Sequence, residues 1–176
     1  MQRRTVIGHV AAAMLLPALF PLASRASWAS NTQPPPGSLR HVSRERWKEI
    51  LPEGRYRVLF EEATEPSSSS PLDKEYGDGT YICAACYQPL FQSADKFDSG
   101  TGWPSFTRPI DGAMETKRDF RLIWPRTEYH CSRCGGHQGH VFSDGPPPTG
   151  QRWCNNGLAL EFVPAGEALP ALRDPG

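Results

Sequence analysis

Residues 131–142 read Cys-Ser-Arg-Cys-Gly-Gly-His-Gln-Gly-His-Val-Phe, and the architecture follows from how that run must fold. Cys131 and Cys134 have the spacing of a zinc knuckle, and the two glycines after them permit its tight backbone. Upstream, Cys83-Ala-Ala-Cys86 has the same spacing. Four thiolates close a tetrahedral site with no open position, so the expected Zn²⁺ is structural, one per chain. The pairs are separated by 44 residues (130 − 87 + 1), longer than a simple zinc ribbon. The knuckles therefore belong to different hairpins, and the metal clamps distant parts of a sheet. Two disulfides are the alternative in an oxidising compartment, and a single Cys-x-x-Cys could instead be a thioredoxin-like redox pair.

The fifth cysteine stands alone in Arg152-Trp-Cys-Asn-Asn156 and is the one candidate nucleophile. On extended backbone, Arg152, Cys154 and Asn156 share a face while Trp153 and Asn155 take the other. A guanidinium two residues away stabilises a thiolate, and an amide can hold a polar substrate atom. The same period places His140, Phe142 and Asp144 together, with His137 three residues earlier. Imidazoles beside a thiol can supply or take a proton near neutral pH. Residues 100–106, Gly-Thr-Gly-Trp-Pro-Ser-Phe, make a stiff loop in which Trp103, with Phe142, can cup a small apolar group. Taken singly, a histidine in a Gly-rich loop is a structural hydrogen-bonder and an isolated cysteine a small buried apolar residue. The clustering of polar groups around one unpaired thiol is what argues for chemistry.

The 176 residues suit one domain with appendages. Lys plus Arg equals Asp plus Glu at 19 each, so the cationic excess of nonspecific nucleic-acid binding is missing. Eighteen prolines and 16 glycines favour short elements joined by turns.

Residues 1–29 have the layout of an export signal: basic Met1-Gln-Arg-Arg, an apolar stretch from Val10 to Leu22, then small residues with cleavage expected after Ala26 or Ala29. The apolar run is too short and too broken by Pro17 and Pro21 for a membrane span, so no stable membrane insertion is expected after its removal. Arg3-Arg4 before Thr-Val-Ile resembles a twin-arginine signal; an ordinary Sec signal is the alternative. The twin-arginine route carries proteins already folded, so metal could be loaded before a periplasm oxidised the thiols.

Residues 30–42 read as a flexible lead-in, 43–166 as the domain and 167–176 as a tail. Ser43 is placed to cap a helix over Arg44–Leu51, followed by a second over Tyr56–Ala63. Strands are expected near Tyr81–Ile82, Pro89–Gln92, Met114–Lys117, Phe120–Trp124, Thr127–His130, His140–Phe142, Gln151–Trp153 and Ala159–Val163. The fold class is therefore mainly β: two antiparallel sheets forming one small domain, with short N-terminal helices and a structural zinc site.

Assembled in order, seven stretches resemble the type B methionine sulfoxide reductases. They are Cys83-x-x-Cys86, Ser99-Gly-Thr-Gly-Trp-Pro-Ser-Phe106, Arg126-Thr-Glu128, Cys131-x-x-Cys134, His137-x-Gly-His-Val-Phe142, Asp144-Gly-Pro146 and Arg152-x-Cys154-x-Asn156. The resemblance runs from about Trp47 to Pro164. It implies reduction of the R epimer of methionine sulfoxide in oxidised proteins or peptides, on a fold of two antiparallel sheets. It matches Cys154 to the catalytic cysteine, and His137, His140 and Asn156 to the polar residues around the sulfoxide oxygen. Trp103 and Phe142 match the methyl-binding wall, and the four paired cysteines match the zinc ligands. A monomer is expected.

Two departures carry weight. Many members have a resolving cysteine where this chain has Thr101, so the oxidised Cys154 is expected to be reduced directly by an external thioredoxin-like dithiol. Phe120-Arg-Leu-Ile-Trp-Pro125 stands where many members have a His-Gly-Met run. The rival readings are a zinc-binding, redox-sensing module and a disulfide oxidoreductase using one Cys-x-x-Cys pair.

Overall fold

The computed structural model describes residues 37–119 and 125–176. The expected export signal, the first part of the expected lead-in and the expected strand at Phe120–Trp124 lie outside the described residues.

Ser43 does cap the first helix, α1 (Arg44–Ile50), its hydroxyl accepting the Arg46 amide at 3.1 Å. The second helix, α2 (Glu53–Glu61), begins at Glu53 rather than Tyr56, because Pro52 does not only end α1 but is the N-cap of α2, its carbonyl accepting the Tyr56 amide at 3.0 Å. It ends with Glu62 in a left-handed conformation. Trp47 of α1 stacks on Phe60 of α2 with ring centroids 5.1 Å apart. Burying such an aromatic pair contributes about 2 kcal/mol per ring.

Nine strands follow among the described residues: β1 (Gly79–Cys83), β2 (Pro89–Gln92), β3 (Lys96–Phe97), β4 (Ser105–Phe106), β5 (Met114–Asp119), β6 (Arg126–Cys131), β7 (His137–Phe142), β8 (Arg152–Asn155) and β9 (Leu160–Pro164). They form two antiparallel sheets, in the orders β2-β1-β9 and β3-β4-β8-β7-β6-β5. The short strands β3 and β4 carry no legible alternation, since two residues cannot express a period of two. Yet β4 matters, because it closes the far side of β8 and pairs Ser105 with Cys154.

The sheets meet on aromatic side chains. Phe91 and Phe106 stack 4.0 Å apart and nearly parallel, Tyr81 meets Phe106 edge-on, and Phe91 meets Tyr129 edge-on at 6.3 Å, while within the larger sheet Tyr129 meets Trp153 at 4.9 Å. Trp153 and Asn155 thus point into the interior, where Asn155 Oδ1 accepts the Tyr129 hydroxyl at 2.8 Å. That leaves the opposite face of β8 for Arg152 and Cys154. Helix α2 lies against β7 and against the tight turn Gly157–Ala159 that follows β8.

Candidate active site and metal centre

The two knuckles converge as their spacing implies. Cys83 Sγ lies 3.7 Å from Cys134 Sγ, and Cys86 Sγ lies 3.6 Å from Cys131 Sγ, with all four sulfurs within 4.8 Å of one another. A tetrahedral ion with bonds of about 2.3 Å puts its sulfurs about 3.8 Å apart. The close pairs join one knuckle to the other, at ligand separation rather than the ~2.05 Å of a disulfide. All four cysteines are buried. Gly136 N–H and Gln138 Nε2 donate to Cys134 Sγ and Cys83 Sγ, as neighbours of metal thiolates do. Gly135, at φ +74°, makes the knuckle turn. The four thiols are placed to hold a structural metal, which would tie β1 to the β6–β7 hairpin.

The fifth cysteine lies apart from it. Cys154 is partly accessible, on β8 between β4 and β7, directly opposite His140. A cleft of about 150 Å³ opens beside the sulfur; Cys154, His140, Phe142, Trp103, Arg126 and Thr64 are among the residues that line it. Burial pushes the Cys154 thiol up, opposed by the nearby Arg152 guanidinium and Thr101 hydroxyl. Arg152 is itself aimed: its Nε and a terminal nitrogen grip the two Asp144 oxygens at 2.9 and 3.0 Å, and its guanidinium carbon sits 4.3 Å over the Phe142 ring. Phe142 pairs with Arg152 across the ladder just as His140 pairs with Cys154.

Trp103 enters from the loop before β4, its indole Nε1 donating to the Glu65 carbonyl at 3.2 Å. The Glu65 carboxylate accepts the amides of Gly157 and Leu158, and its own amide donates to Asn156 Oδ1. Asn156 Nδ2 donates to the Gln138 carbonyl. The Asn156 amide lines the cleft but spends its oxygen and nitrogen on these backbone partners, tethering the Trp103 side of the cleft to β7. Glu65, buried and outside any stretch that drew notice in the sequence, is the residue that joins the two walls.

His137 stands one step back. It does not line the cleft; its ring centroid is 5.5 Å from that of His140. Its Nδ1 lies 2.6 Å from Glu128 Oε1, which also takes His130 Nε2 at 2.8 Å, and Lys117 reaches the other Glu128 oxygen at 3.3 Å. His137 Nε2 is buried with no hydrogen-bond partner among the described residues. Burial lowers the His137 pKa to about 4 despite Glu128, so the ring is neutral at pH 7. His140 is lowered as well, again by burial ahead of its carboxylate partner. That partner is Asp119 Oδ2, 3.0 Å from His140 Nε2 and 2.7 Å from an Arg126 terminal nitrogen. The sequence offered Arg126 and Glu128 within a recognisable run but no role for them, and Asp119 no signal, since it falls between the strands expected at Met114–Lys117 and Phe120–Trp124.

Comparison with known proteins agrees with this geometry. A family model described as the SelR domain matches residues 51–164. A protein of Leptospira interrogans named "Peptide methionine sulfoxide reductase MsrB" is 48% identical over 121 residues, 68% of this chain and 92% of that protein. Proteins of the same name from Bradyrhizobium diazoefficiens and Methanosarcina barkeri are 47% and 48% identical, covering 69% and 68% of this chain and 88% and 85% of their own lengths.

Proposed function

Given that this chain belongs to the SelR-domain family with the MsrB reductases, we propose that it returns the R epimer of methionine sulfoxide in oxidised proteins to methionine, with Cys154 as nucleophile. The carrying observation is the pairing of the partly accessible Cys154 with His140 in a cleft walled by Trp103 and Phe142. The cleft admits one side chain. The two rings face the methyl and sulfur of a bound sulfoxide, while the polar edge at His140 takes its oxygen.

The resting site holds a neutral thiol and neutral imidazoles, so the proton that the departing oxygen needs comes from the thiol itself. The sulfoxide S–O bond breaks and an oxygen bond to Sγ forms. The substrate sulfur gains two electrons and Sγ loses two. The proton that began on Sγ ends on the sulfenic oxygen, and methionine leaves. Two external thiols then restore Cys154–SH, releasing water and their own disulfide. A thioredoxin-like dithiol suits that step, because the other four cysteines are gathered at the metal centre and Thr101 offers no thiol.

Zinc is the ion that a buried, closed tetrathiolate suits; bound there it has no free position and holds the sheet ends together. The N-terminal layout supports export to a periplasm by the twin-arginine route, and the functional unit is a monomer. The test is an assay of wild type and Cys154→Ser on separated sulfoxide epimers with dithiothreitol. Turnover of one epimer, lost in the variant, is expected. Oxidation of Cys154 without turnover would favour a redox sensor, and a metal-free, reactive Cys83 or Cys86 would favour a disulfide oxidoreductase.

A further inference from the structure

Cys154 and His140 face each other across β7 and β8, and behind His140 lies a carboxylate that the reaction as described does not use. Asp119 closes β5 opposite Arg126, its side chain 5% exposed, and its Oδ2 lies between His140 Nε2 and the Arg126 guanidinium. The geometry points to Asp119 as a positioning residue that fixes the tautomer of His140 and makes that imidazole the proton carrier for Cys154.

Arg126 has only donors, so Asp119 Oδ2 accepts from it and stays ionised beside it. An ionised carboxylate can only accept, so His140 Nε2 must carry the proton of their 3.0 Å contact. In the neutral ring that leaves Nδ1 as a lone pair, on a side chain lining the same cleft as Cys154. A lone pair can take the thiol proton; the imidazolium so formed is stabilised by Asp119 and can then give the proton to the sulfoxide oxygen. His137 cannot stand in for it. Its proton is held at Nδ1 by Glu128, and it lies off the cleft. Among the described residues, the charged and titratable groups around His140 are Asp119, Arg126, Glu128 and His137, with Cys154 in front.

Arg126 gains a meaning from the same contact. It keeps Asp119 charged, and it lines the cleft with its own Nε unpartnered among the described residues. The proton route is thiol to His140 Nδ1 to sulfoxide oxygen, with no net gain or loss at the imidazole. This inference rests on the reductase reading above, and its test separates the two.

The experiment compares wild type with Asp119→Asn and Asp119→Glu in their metal-loaded, full-length form. One arm measures kcat and KM on the sulfoxide epimer; the other follows iodoacetamide alkylation of Cys154 against pH, mapped by mass spectrometry. Asp119→Asn is expected to lower kcat by about 100-fold with little change in KM, and Asp119→Glu to recover part of it. Alkylation at pH 7 is expected to slow by about tenfold in Asp119→Asn, since an imidazolium without its carboxylate no longer steadies the thiolate. Wild-type kcat together with an unmoved alkylation profile would overturn the proposal. The alkylation arm needs no turnover, so it judges Asp119 even if the chain reduced neither epimer, a result that would remove the reductase reading instead. Should the variants fail to fold, nitrogen NMR of wild-type His140 decides: protonation at Nε2 supports the assignment and protonation at Nδ1 overturns it.

Discussion

A Cβ on Gly139 would lie 1.9 Å from the carbonyl oxygen of Cys154. The strand carrying His140 therefore runs against the strand carrying the thiol with no room for any side chain at that point. Gly139 faces Asn155 in the ladder, one position from the His140–Cys154 pair, so the approach sets how His140 and Cys154 meet.

Gly139→Ala is accordingly expected to push β7 away from β8 at the active site. The cost in stability is about 1–3 kcal/mol, the usual range for overpacking. Activity is expected to fall further than stability suggests, by about 100-fold, because misplacement of order 1 Å disturbs the thiol and the imidazole together. Steady-state kinetics beside a thermal melt checks this; a variant that melts early yet turns over normally would contradict it.

Arg152 opposes the burial that raises the Cys154 thiol. Replacing it with Gln leaves burial dominant, so the pH at which Cys154 becomes alkylatable moves upward and turnover at pH 7 drops. Asp144→Asn, which loosens the grip on Arg152 from a largely exposed position, acts in the same direction but more weakly. Iodoacetamide rates across pH 6–10 measure both, and an unmoved or lowered midpoint in Arg152→Gln would refute the role assigned to the guanidinium.

Metal removal tests the four-sulfur centre. About one zinc per chain is expected by elemental analysis, and Cys131→Ser or prolonged chelation is expected to abolish the cooperative melt, because the site ties β1 to the β6–β7 hairpin. Activity should disappear with the fold and not before it. A stable, active, metal-free chain would be incompatible with a structural site.

Stability should fall in mild acid through His137. Its pKa is about 4 in the fold against 6.5 for the free group, so below 6.5 the unfolded chain binds a proton that the folded chain refuses. The contribution is present above 6.5 and lost as pH falls towards 4, amounting to up to about 3 kcal/mol. His137→Asn is expected to flatten that part of the profile. Urea titrations at pH 7 and pH 4.5 measure the difference, and equal slopes for variant and wild type would count against it.

Much of this was legible in one dimension. The cysteine spacing implied a shared tetrathiolate, and the Ser43 cap read correctly because capping is local, whereas the second helix starts three residues before its expected beginning. The alternation of Arg152, Cys154 and Asn156 against Trp153 and Asn155 put Cys154 and Arg152 on the face that the structure gives them. The two-residue strands were not legible, since they are held in place by their partners and not by their own pattern. Asn156 shows the limit of alternation: it lies beyond the end of β8, and its amide is drawn to Glu65 and Gln138.

What the order of residues determined by itself was the inventory: four thiols paired for a metal, one left over, and histidines and aromatics at strand spacing, all consequences of short-range geometry. Which carboxylate serves which histidine was decided only in three dimensions. Asp119 reaches His140 because β5, β6 and β7 lie side by side, and Glu65 reaches Trp103 and Gly157 across the fold. Such partnerships join residues far apart in the chain, through burial that leaves each polar group only the partner within reach.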